Sequence, residues 1–366
     1  MRKLPWFLGA LTLALAPMAF AQSSSAARAQ PSAATARAPI GFRITKTVHL
    51  GAPDRWDYLV YDAPSHRVYV SHGDRITVVD GRNGRIIGQV EHMPGGTHGI
   101  AISHAAGLGY TDDGRAGEVV AFSLRTLKVV KRLKAQPGSD AVTIDPTSGH
   151  VFVVDGDVGD LTVIDPKRDR VIATIHIPSR LEYAVAGDNG KVYVNGVSTS
   201  KLFRIDTATD RVDATWPIPQ CQSPHGLAID TVTHRLFSSC ENAKMMVVNA
   251  DTGAVIATLP IGRGTDAARF DPVHQLAFSS NGRDGTISVI REVNADTFVP
   301  AATVKTEPTA RTMSVDPRTG RLYLVAASVD PKAMTAFLAA MRKHQRPHRF
   351  PFVHGSVRLL FLDPVR

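Results

Sequence analysis

Two histidines stand at the same place in two similar segments of the chain. His98 lies in GTHGIAIS and His225 in SPHGLAID, and each is followed by a glycine and an apolar run. The two are 127 residues apart, close to three times 42. Imidazoles together with carboxylates form a ligand set for zinc, iron or manganese. The spacing indicates a repeat of about 42 residues that would hold both rings at equivalent points.

Five further segments align with these two, and all seven carry an ionisable residue at the position of the histidines. The seven residues are Asp57, His98, Asp140, Glu182, His225, Asp266 and Arg311. The strands that follow them end at intervals of 41 to 45 residues. A period kept over seven units is stronger information about the fold than any single motif.

Each unit has the pattern of four short strands. In the third unit they are DAVTID, HVFVVDG, LTVID and RVIATIHI, separated by turns such as DPTSGH that contain Asp, Pro and Gly. Aspartate, proline and glycine set turn dihedrals, and β-branched residues fill the strands. Four strands in about 42 residues are typical of a propeller blade. The sequence therefore predicts an all-β, seven-bladed β-propeller with four antiparallel strands per blade.

The last unit is one strand short at its C-terminal end. It finishes with RLLFLDPVR, which has the pattern of a third strand. The segment RITKTVHL (residues 43–50) is similar to RVIATIHI, the outer strand of the third unit. We therefore expect the N-terminal strand to complete the last blade and close the ring.

Several segments resemble a known repeat family. VYVNG (192–196), VYVSH (68–72) and LYLVA (322–326) are close to its name-giving motif, and VIDPKRDRVIATI is close to its repeat core. Over residues 42–366 the chain resembles the YVTN-type β-propeller repeat family and its YncE-like secreted members. The resemblance implies the propeller fold and a binding or structural role. It carries no catalytic residue over to this chain.

The seven ionisable residues begin the innermost strands, so we expect them to gather around one mouth of the axial channel. His98 and His225 would lie nearly opposite each other, with Gly99 and Gly226 leaving room for them. We predict that all seven residues form a ligand-binding site. A divalent metal ion held by His98 and His225 is the cofactor that these residue types suggest.

Three interpretations of the mouth stay open. It can be a solvated rim whose charges neutralise one another, a site for an organic or anionic ligand, or a metal site. A metal ion there could activate water, as in lactonase-like propellers. The function predicted first is an exported binding or scaffold protein, and the alternative is a metal-dependent hydrolase at the same mouth. The usual serine-hydrolase, zinc-protease and nucleotide-binding signatures are absent from the sequence, so whether the chain is an enzyme stays open.

The N-terminus and the cysteines indicate export. Residues 1–21 have a basic start, an apolar middle and a small-residue end, which predicts a signal peptide, and the Ala/Ser/Pro-rich residues 22–41 predict a flexible linker. The predicted location is periplasmic or secreted. Cys221 and Cys240 are the only cysteines, both in the fifth unit, and we predict that they form a disulfide. No later stretch reaches the roughly 18 apolar residues of a membrane span.

An insertion of about 30 residues interrupts the seventh unit between its second and third strands. Within residues 328–357, Asp330 and Pro331 are typical of a helix start. Apolar residues then follow at helical spacing, namely Met334, Phe337, Leu338 and Met341. We predict a helix with a basic tail that lies over the axial mouth; the alternative is a surface elaboration packed away from the axis.

The charge of the chain is concentrated in this insertion. The formal net charge is +9, or +7 once Arg2 and Lys3 are removed with the signal peptide, and the insertion carries +4. A basic patch can contact phosphates, but the aromatic residues here are too few for a base-stacking platform. The sequence therefore favours a small ligand or a protein partner at the channel face over nucleic acid.

Overall fold

The computed structural model describes residues 40–342 and 350–365. The predicted signal peptide lies outside these residues, and so do residues 22–39 of the predicted linker and the basic tail at 343–349. Among the described residues, 28 strands form seven antiparallel four-stranded sheets. The predicted seven-bladed propeller is confirmed.

Each of the first three blades is a meander of four consecutive strands, numbered from the axis outward. In the first blade these are β2 (Leu59–Asp62), β3 (Arg67–His72), β4 (Arg75–Asp80) and β5 (Ile86–Val90). In the second they are β6 (Ile100–Ser103), β7 (Leu108–Asp113), β8 (Glu118–Ser123) and β9 (Val129–Lys134). In the third they are β10 (Ser139–Ile144), β11 (Val151–Asp155), β12 (Asp160–Asp165) and β13 (Arg170–His176).

The next three blades repeat this order. The fourth contains β14 (Leu181–Ala186), β15 (Lys191–Gly196), β16 (Lys201–Asp206) and β17 (Arg211–Pro217). The fifth contains β18 (Pro224–Asp230), β19 (Arg235–Cys240), β20 (Lys244–Asn249) and β21 (Val255–Pro260). The sixth contains β22 (Thr265–Asp271), β23 (Leu276–Asn281), β24 (Thr286–Asn294) and β25 (Thr297–Lys305).

The seventh blade is built from both ends of the propeller. Its inner strands are β26 (Thr312–Asp316) and β27 (Arg321–Ala326), its third is β28 (Arg358–Val365), and its outer strand is β1 (Gly41–His49). β1 runs antiparallel to β28, from the pair Gly41 and Val365 to the pair His49 and Arg358. The expected closure by the N-terminal strand is thus present.

The turns after the inner strands are shaped by aspartate. In four blades the terminal aspartate accepts a hydrogen bond from the backbone N–H two positions on, at 3.0–3.2 Å; these residues are Asp145, Asp230, Asp271 and Asp316. Such a side chain replaces a backbone partner and stabilises the turn. The recurring aspartate of the repeat therefore has a local structural role.

The apolar core lies between the blades. Phe152 and Leu161 of the third blade, for example, are buried against Leu181 and Val192 of the fourth. The inner strands contact one another in cyclic order, including β26 with β2. Because each blade buries its faces only against its neighbours, the closed ring is the stable unit.

The predicted disulfide is present. Cys221 and Cys240 are bonded, with their Cα atoms 5.3 Å apart, and both are fully buried. The bond ties the segment leading into β18 to the end of β19. It therefore restrains the chain four residues before His225.

The predicted helix α1 spans Pro331–Arg342. The Asp330 carboxylate accepts hydrogen bonds from the backbone N–H groups of Lys332 (2.8 Å) and Ala333 (3.1 Å), which caps the helix. None of the helices in the described part of the chain has the length and hydropathy to cross a membrane.

A buried carboxyl group lies between the fifth and sixth blades. Glu292 on β24 is 2% exposed, and neither of its carboxyl oxygens has a hydrogen-bond partner among the described residues. Burial, together with the charge of Asp230, raises the pKa of Glu292 to about 7, although Arg235 opposes the shift. The folded protein therefore holds a proton there that the unfolded chain releases near pH 4.5.

We predict that Glu292→Gln stabilises the protein increasingly as the pH rises from 4.5 to about 7, and fully above that range. The parent loses stability as the pH rises from 4.5 to about 7, because only its unfolded state ionises in that window. Glutamine does not titrate, so the variant should gain about 1–3 kcal/mol at pH 8 and little at pH 4. Urea unfolding at both pH values measures this. The exposed Glu91→Gln is the control, and an equal gain at both pH values would show the mechanism to be wrong.

Candidate functional site

The seven predicted residues do gather at one mouth of the channel. Four lie in the first two residues of β10, β14, β18 and β22, and three lie one or two residues before β2, β6 and β26. Their side chains interact across the blades: Arg311 Nε lies 3.1 Å from Asp266 Oδ2, and Arg311 Nη2 lies 3.6 Å from Asp57 Oδ2. We call this set the mouth ring.

The mouth ring contains two separate sets of possible metal ligands. One is formed by Asp57, His98 and Asp140, and the other by Glu182, His225 and Asp266, with the ligand atoms of each set within 4.8 Å of one another. No such set in the described chain contains both histidines. A single ion bound by His98 and His225 therefore stays a prediction.

His225 lies between two carboxylates. Its Nδ1 is 3.3 Å from Glu182 Oε1 and 3.6 Å from Asp266 Oδ1, without good hydrogen-bond geometry to either. Burial alone would lower the pKa of His225, but the two carboxylates outweigh burial and raise it to about 10. At neutral pH the His225 side chain is therefore an imidazolium ion, and it offsets part of the negative charge of the mouth ring.

His98 has two partners that the sequence did not indicate. Its Nδ1 lies 2.6 Å from Oδ2 of Asp112, a fully buried residue of β7, and its Nε2 lies 2.8 Å from Nη2 of Arg55. Asp112 Oδ1 also accepts hydrogen bonds from the backbone N–H groups of His98 and Gly99, both at 2.9 Å. This carboxylate therefore fixes both the ring and the backbone of His98.

The two partners of His98 favour different protonation states. A guanidinium only donates, so its contact with Nε2 requires the neutral ring. Burial lowers the pKa of His98, but Asp112 and the nearby Asp57 and Asp140 raise it to about 9. Protonation at Nε2 would break the contact with Arg55. Arg55 and a proton thus compete for one nitrogen atom.

The other mouth carboxylates respond to the crowding of charge. Burial raises the pKa of Asp57 to about 6, although Arg311 opposes the shift. Burial, followed by the charge of Glu182, raises the pKa of Asp140 well above its usual range. For Asp266, Arg311 and His225 outweigh burial and hold the pKa below its usual range. The raised pKa values of Asp57 and Asp140 and the guanidinium of Arg311 therefore reduce the net negative charge of the mouth ring.

Two tyrosines close the channel directly beneath the mouth ring. Tyr58 and Tyr183 follow Asp57 and Glu182 in the chain, and their ring centroids are 4.6 Å apart. Since they come from the first and fourth of seven blades, the rings meet across the axis. Arg269 donates a hydrogen bond to the Tyr183 hydroxyl at 2.9 Å. The mouth is thus a cup with a floor.

The glycines that follow the two histidines are required because the inner strand of the next blade leaves no space for a side chain. A Cβ atom on Gly99 would lie 2.3 Å from the backbone nitrogen of Val142, and one on Gly226 would lie 2.2 Å from that of Ala268. The sequence suggested that these glycines leave room for the histidines. The room is instead taken by the inner strand of the next blade.

A cavity of about 800 Å³ lies between the mouth ring and α1. Its floor includes His225, Asp266 and Arg311. Its apolar wall consists of three α1 residues and three aromatic residues outside the helix, namely Met334, Phe337, Leu338, Trp56, Phe350 and Phe352. α1 therefore lies at the axial mouth and forms one wall of the cavity.

The aromatic residues of this wall form a continuous row. Ring centroids are 4.8 Å apart between Trp56 and Phe352, 4.6 Å between Phe352 and Phe350, and 5.3 Å between Phe350 and Phe337. The Arg311 guanidinium carbon lies 6.0 Å from the centroid of the Trp56 ring. The row thus connects α1 to the mouth ring.

The fold and the mouth ring define a seven-bladed β-propeller with a polar cup at its axis. Comparison with known proteins adds a weak sequence relationship: two curated relatives, each called "Uncharacterized protein YncE", from Salmonella typhi and Salmonella typhimurium, are 25% identical over 189 residues. The alignment covers 50% of this chain and 53% of each relative, so the chain spans about half the length of the curated relatives it matches. This similarity to YncE agrees with the resemblance seen in the repeat.

The other comparisons concern the fold alone. A chain of Kuenenia stuttgartiensis hydrazine synthase superposes with a TM-score of 0.63 over 73% of this chain and 91% of that chain, with 14% sequence identity. No protein-family profile matches the chain. The function must therefore be argued from the site itself.

We predict that Gly226→Ala destabilises the propeller and displaces His225. The added Cβ would meet backbone atoms of β22, which cannot rotate away, so a loss of about 1–3 kcal/mol is expected. Urea unfolding measures the loss. Gly41→Ala is the matched control, because its Cβ would meet Val365 at an ordinary 3.4 Å. Equal stability of the two variants would contradict the role of the close strand approach.

Proposed function

We propose that the chain is an exported binding or scaffold propeller that holds a small ligand in the cavity between the mouth ring and α1. Export to the periplasm or the cell exterior is supported by the predicted signal peptide and by the buried disulfide. The observation that carries the proposal is the cavity of about 800 Å³, which joins an apolar wall to a charged floor.

The cavity has the properties of a ligand site rather than of a packing defect. Its volume lies within the range of about 300–1,000 Å³ usual for small-molecule sites, and such sites combine apolar walls with a few convergent polar groups. Because Tyr58 and Tyr183 meet across the channel below, we expect a ligand to enter and leave on the face that carries α1. The insertion that breaks the repeat thus supplies the wall that makes the mouth a pocket.

A concave site favours a small ligand over a protein partner. A protein partner would need a broad, accessible surface, whereas the charged groups here lie at the bottom of a cup. The side chains of α1 that face the cavity are only partly covered, with Leu338 48% exposed. A ligand between α1 and the mouth would bury them, which favours binding by about 25 cal/mol per Å² of apolar area.

A metal-dependent hydrolase is the second candidate. It is supported by the set Glu182, His225 and Asp266, whose ligand atoms lie close enough together for one ion. Two features oppose it: Arg311 already lies 3.1 Å from Asp266, and a proton occupies His225 up to a pH of about 10. An ion would have to displace that proton and share Asp266 with a guanidinium.

We predict saturable binding of N-phenyl-1-naphthylamine, an uncharged fluorescent probe, in this cavity. Trp56 lines the cavity, and Trp216 lies on β17. In the Trp216→Phe variant of the exported protein, the probe should quench the emission of Trp56 with a stoichiometry of one per chain. Adding Phe337→Ala should weaken binding about tenfold, because it removes a buried aromatic contact of about 1.4 kcal/mol.

Two controls test whether the site is the one proposed. Thr335→Ala changes α1 at an exposed position that does not line the cavity, and it should leave the affinity unchanged. Trp56→Phe in addition to Trp216→Phe should abolish the quenching signal. Non-saturable binding, or equal affinity of the Phe337→Ala and Thr335→Ala variants, would overturn the proposed site.

Elemental analysis separates the two candidates. Protein purified without affinity metals should contain no stoichiometric divalent metal, and His98→Ala combined with His225→Ala should leave its metal content unchanged. One ion per chain in the parent, lost in the double variant, would instead favour the hydrolase. The double variant should stay folded, because neither histidine belongs to the apolar core between the blades.

A further inference from the structure

We infer that the ligand of this cavity is an organic anion with an apolar, ring-bearing body. The inference rests on the proposed function, because it assigns a chemical class to the ligand of the same cavity. It is carried by the balance of charge in the cavity lining and by two arginines that lack a close carboxylate partner.

The charged groups that line the cavity are mainly positive. The positive groups are the guanidiniums of Arg55, Arg283 and Arg311, and the negative groups are the carboxylates of Glu241 and Asp266. Three carboxylates of the mouth ring do not line the cavity, namely those of Asp57, Asp140 and Glu182. A ligand inside it therefore meets more positive than negative charge.

The carboxylate at the floor is already neutralised. Asp266 lies 3.1 Å from Arg311 Nε, so a guanidinium already forms an ion pair with it, and His225 Nδ1 lies 3.6 Å away. Asp266 has little capacity left for a cationic ligand. Arg311 is likewise occupied, by Asp266 and Asp57.

Arg55, in contrast to Arg311, has no carboxylate partner among the described residues. Its side chain is exposed, and its only hydrogen-bond partner among the described residues is His98 Nε2, at 2.8 Å. No carboxylate in the described chain lies within ion-pair distance of it. A ligand carboxylate or sulfonate would be a stronger acceptor than the imidazole nitrogen, because it carries a negative charge and offers two oxygens to the guanidinium.

Arg283 also lacks a close carboxylate partner. Its side chain is 64% exposed, and the carboxylate oxygen that pairs with it, on Glu241, is 3.9 Å from its Nη2 atom. Arg283 and Arg55 both line the one cavity. Two open guanidiniums at the edge of an apolar pocket match an anionic group on a hydrophobic body.

The apolar body is specified by the aromatic row. Trp56, Phe352, Phe350 and Phe337 have neighbouring centroids 4.6–5.3 Å apart. Phe350 is 41% exposed, so part of the row has no packing partner. A flat ring system could pack on such faces, because aromatic pairs prefer centroid distances of about 4.5–7 Å.

A pair of matched probes tests the anionic class. 8-Anilinonaphthalene-1-sulfonate and N-phenyl-1-naphthylamine share one ring system and differ by the sulfonate. The sulfonate probe should bind the exported protein about tenfold more tightly. Arg55→Met and Arg283→Met should each weaken its binding about 3- to 10-fold and leave the uncharged probe unchanged. Phe337→Ala should weaken both probes.

Arg125→Met is the control for loss of a positive charge, because Arg125 is exposed on a turn of the second blade and does not line the cavity. It should leave both affinities unchanged, and thermal unfolding should show all variants folded. Equal affinity for the two probes with no effect of Arg55→Met or Arg283→Met, but with weakening by Phe337→Ala, would overturn the anionic class alone. Insensitivity of both probes to Phe337→Ala would overturn the proposed function and this inference together.

Discussion

The close approach of the inner strands around the axis is the constraint on which the rest of the structure depends. At Gly99 and Gly226 the backbone of the next blade occupies the space of a side chain, 2.2–2.3 Å from where a Cβ would be. Backbone packed on backbone leaves little freedom, so the residues before these glycines, His98 and His225, have fixed positions at the mouth. The side chains of the mouth ring are brought together by this packing and not by attraction between them.

Crowding of this kind concentrates negative charge, and side chains of the mouth ring offset part of it. Arg311 bridges Asp57 and Asp266, while His225 carries a proton between two carboxylates. Burial, followed by the charge of Glu182, raises the pKa of Asp140 well above the usual range, although His98 opposes the shift. The polar floor is therefore close to neutral, and the open arginines at its edge determine which charge a ligand should carry.

The fold could be predicted from the sequence because the contacts within a blade are local. Its strands are consecutive in the chain, and its turn aspartates accept hydrogen bonds from backbone groups two or three residues on. The mouth ring followed from the same period. Asp112 and Arg55 were missed because they reach His98 from a second strand and from a preceding loop, where the repeat gives no alignment. A signal for the floor was present, since Tyr58 and Tyr183 are large where the other blades mostly have glycine or alanine.

The backbone has near seven-fold symmetry, but the site does not, because the mouth-ring residues differ in type and α1 covers only part of the mouth. Inserted in the seventh blade, it forms a cavity with the fifth, sixth, seventh and first blades, which includes His225 but not His98. Arg55 is the connection between the two halves, because it lines the cavity and also contacts His98 Nε2. A ligand group that takes Arg55 would leave Nε2 of His98 without its guanidinium, beside carboxylates that favour a proton on the ring. The two histidines, equivalent in the repeat, thus have different surroundings: His225 lines the cavity, whereas His98 contacts a lining residue, Arg55.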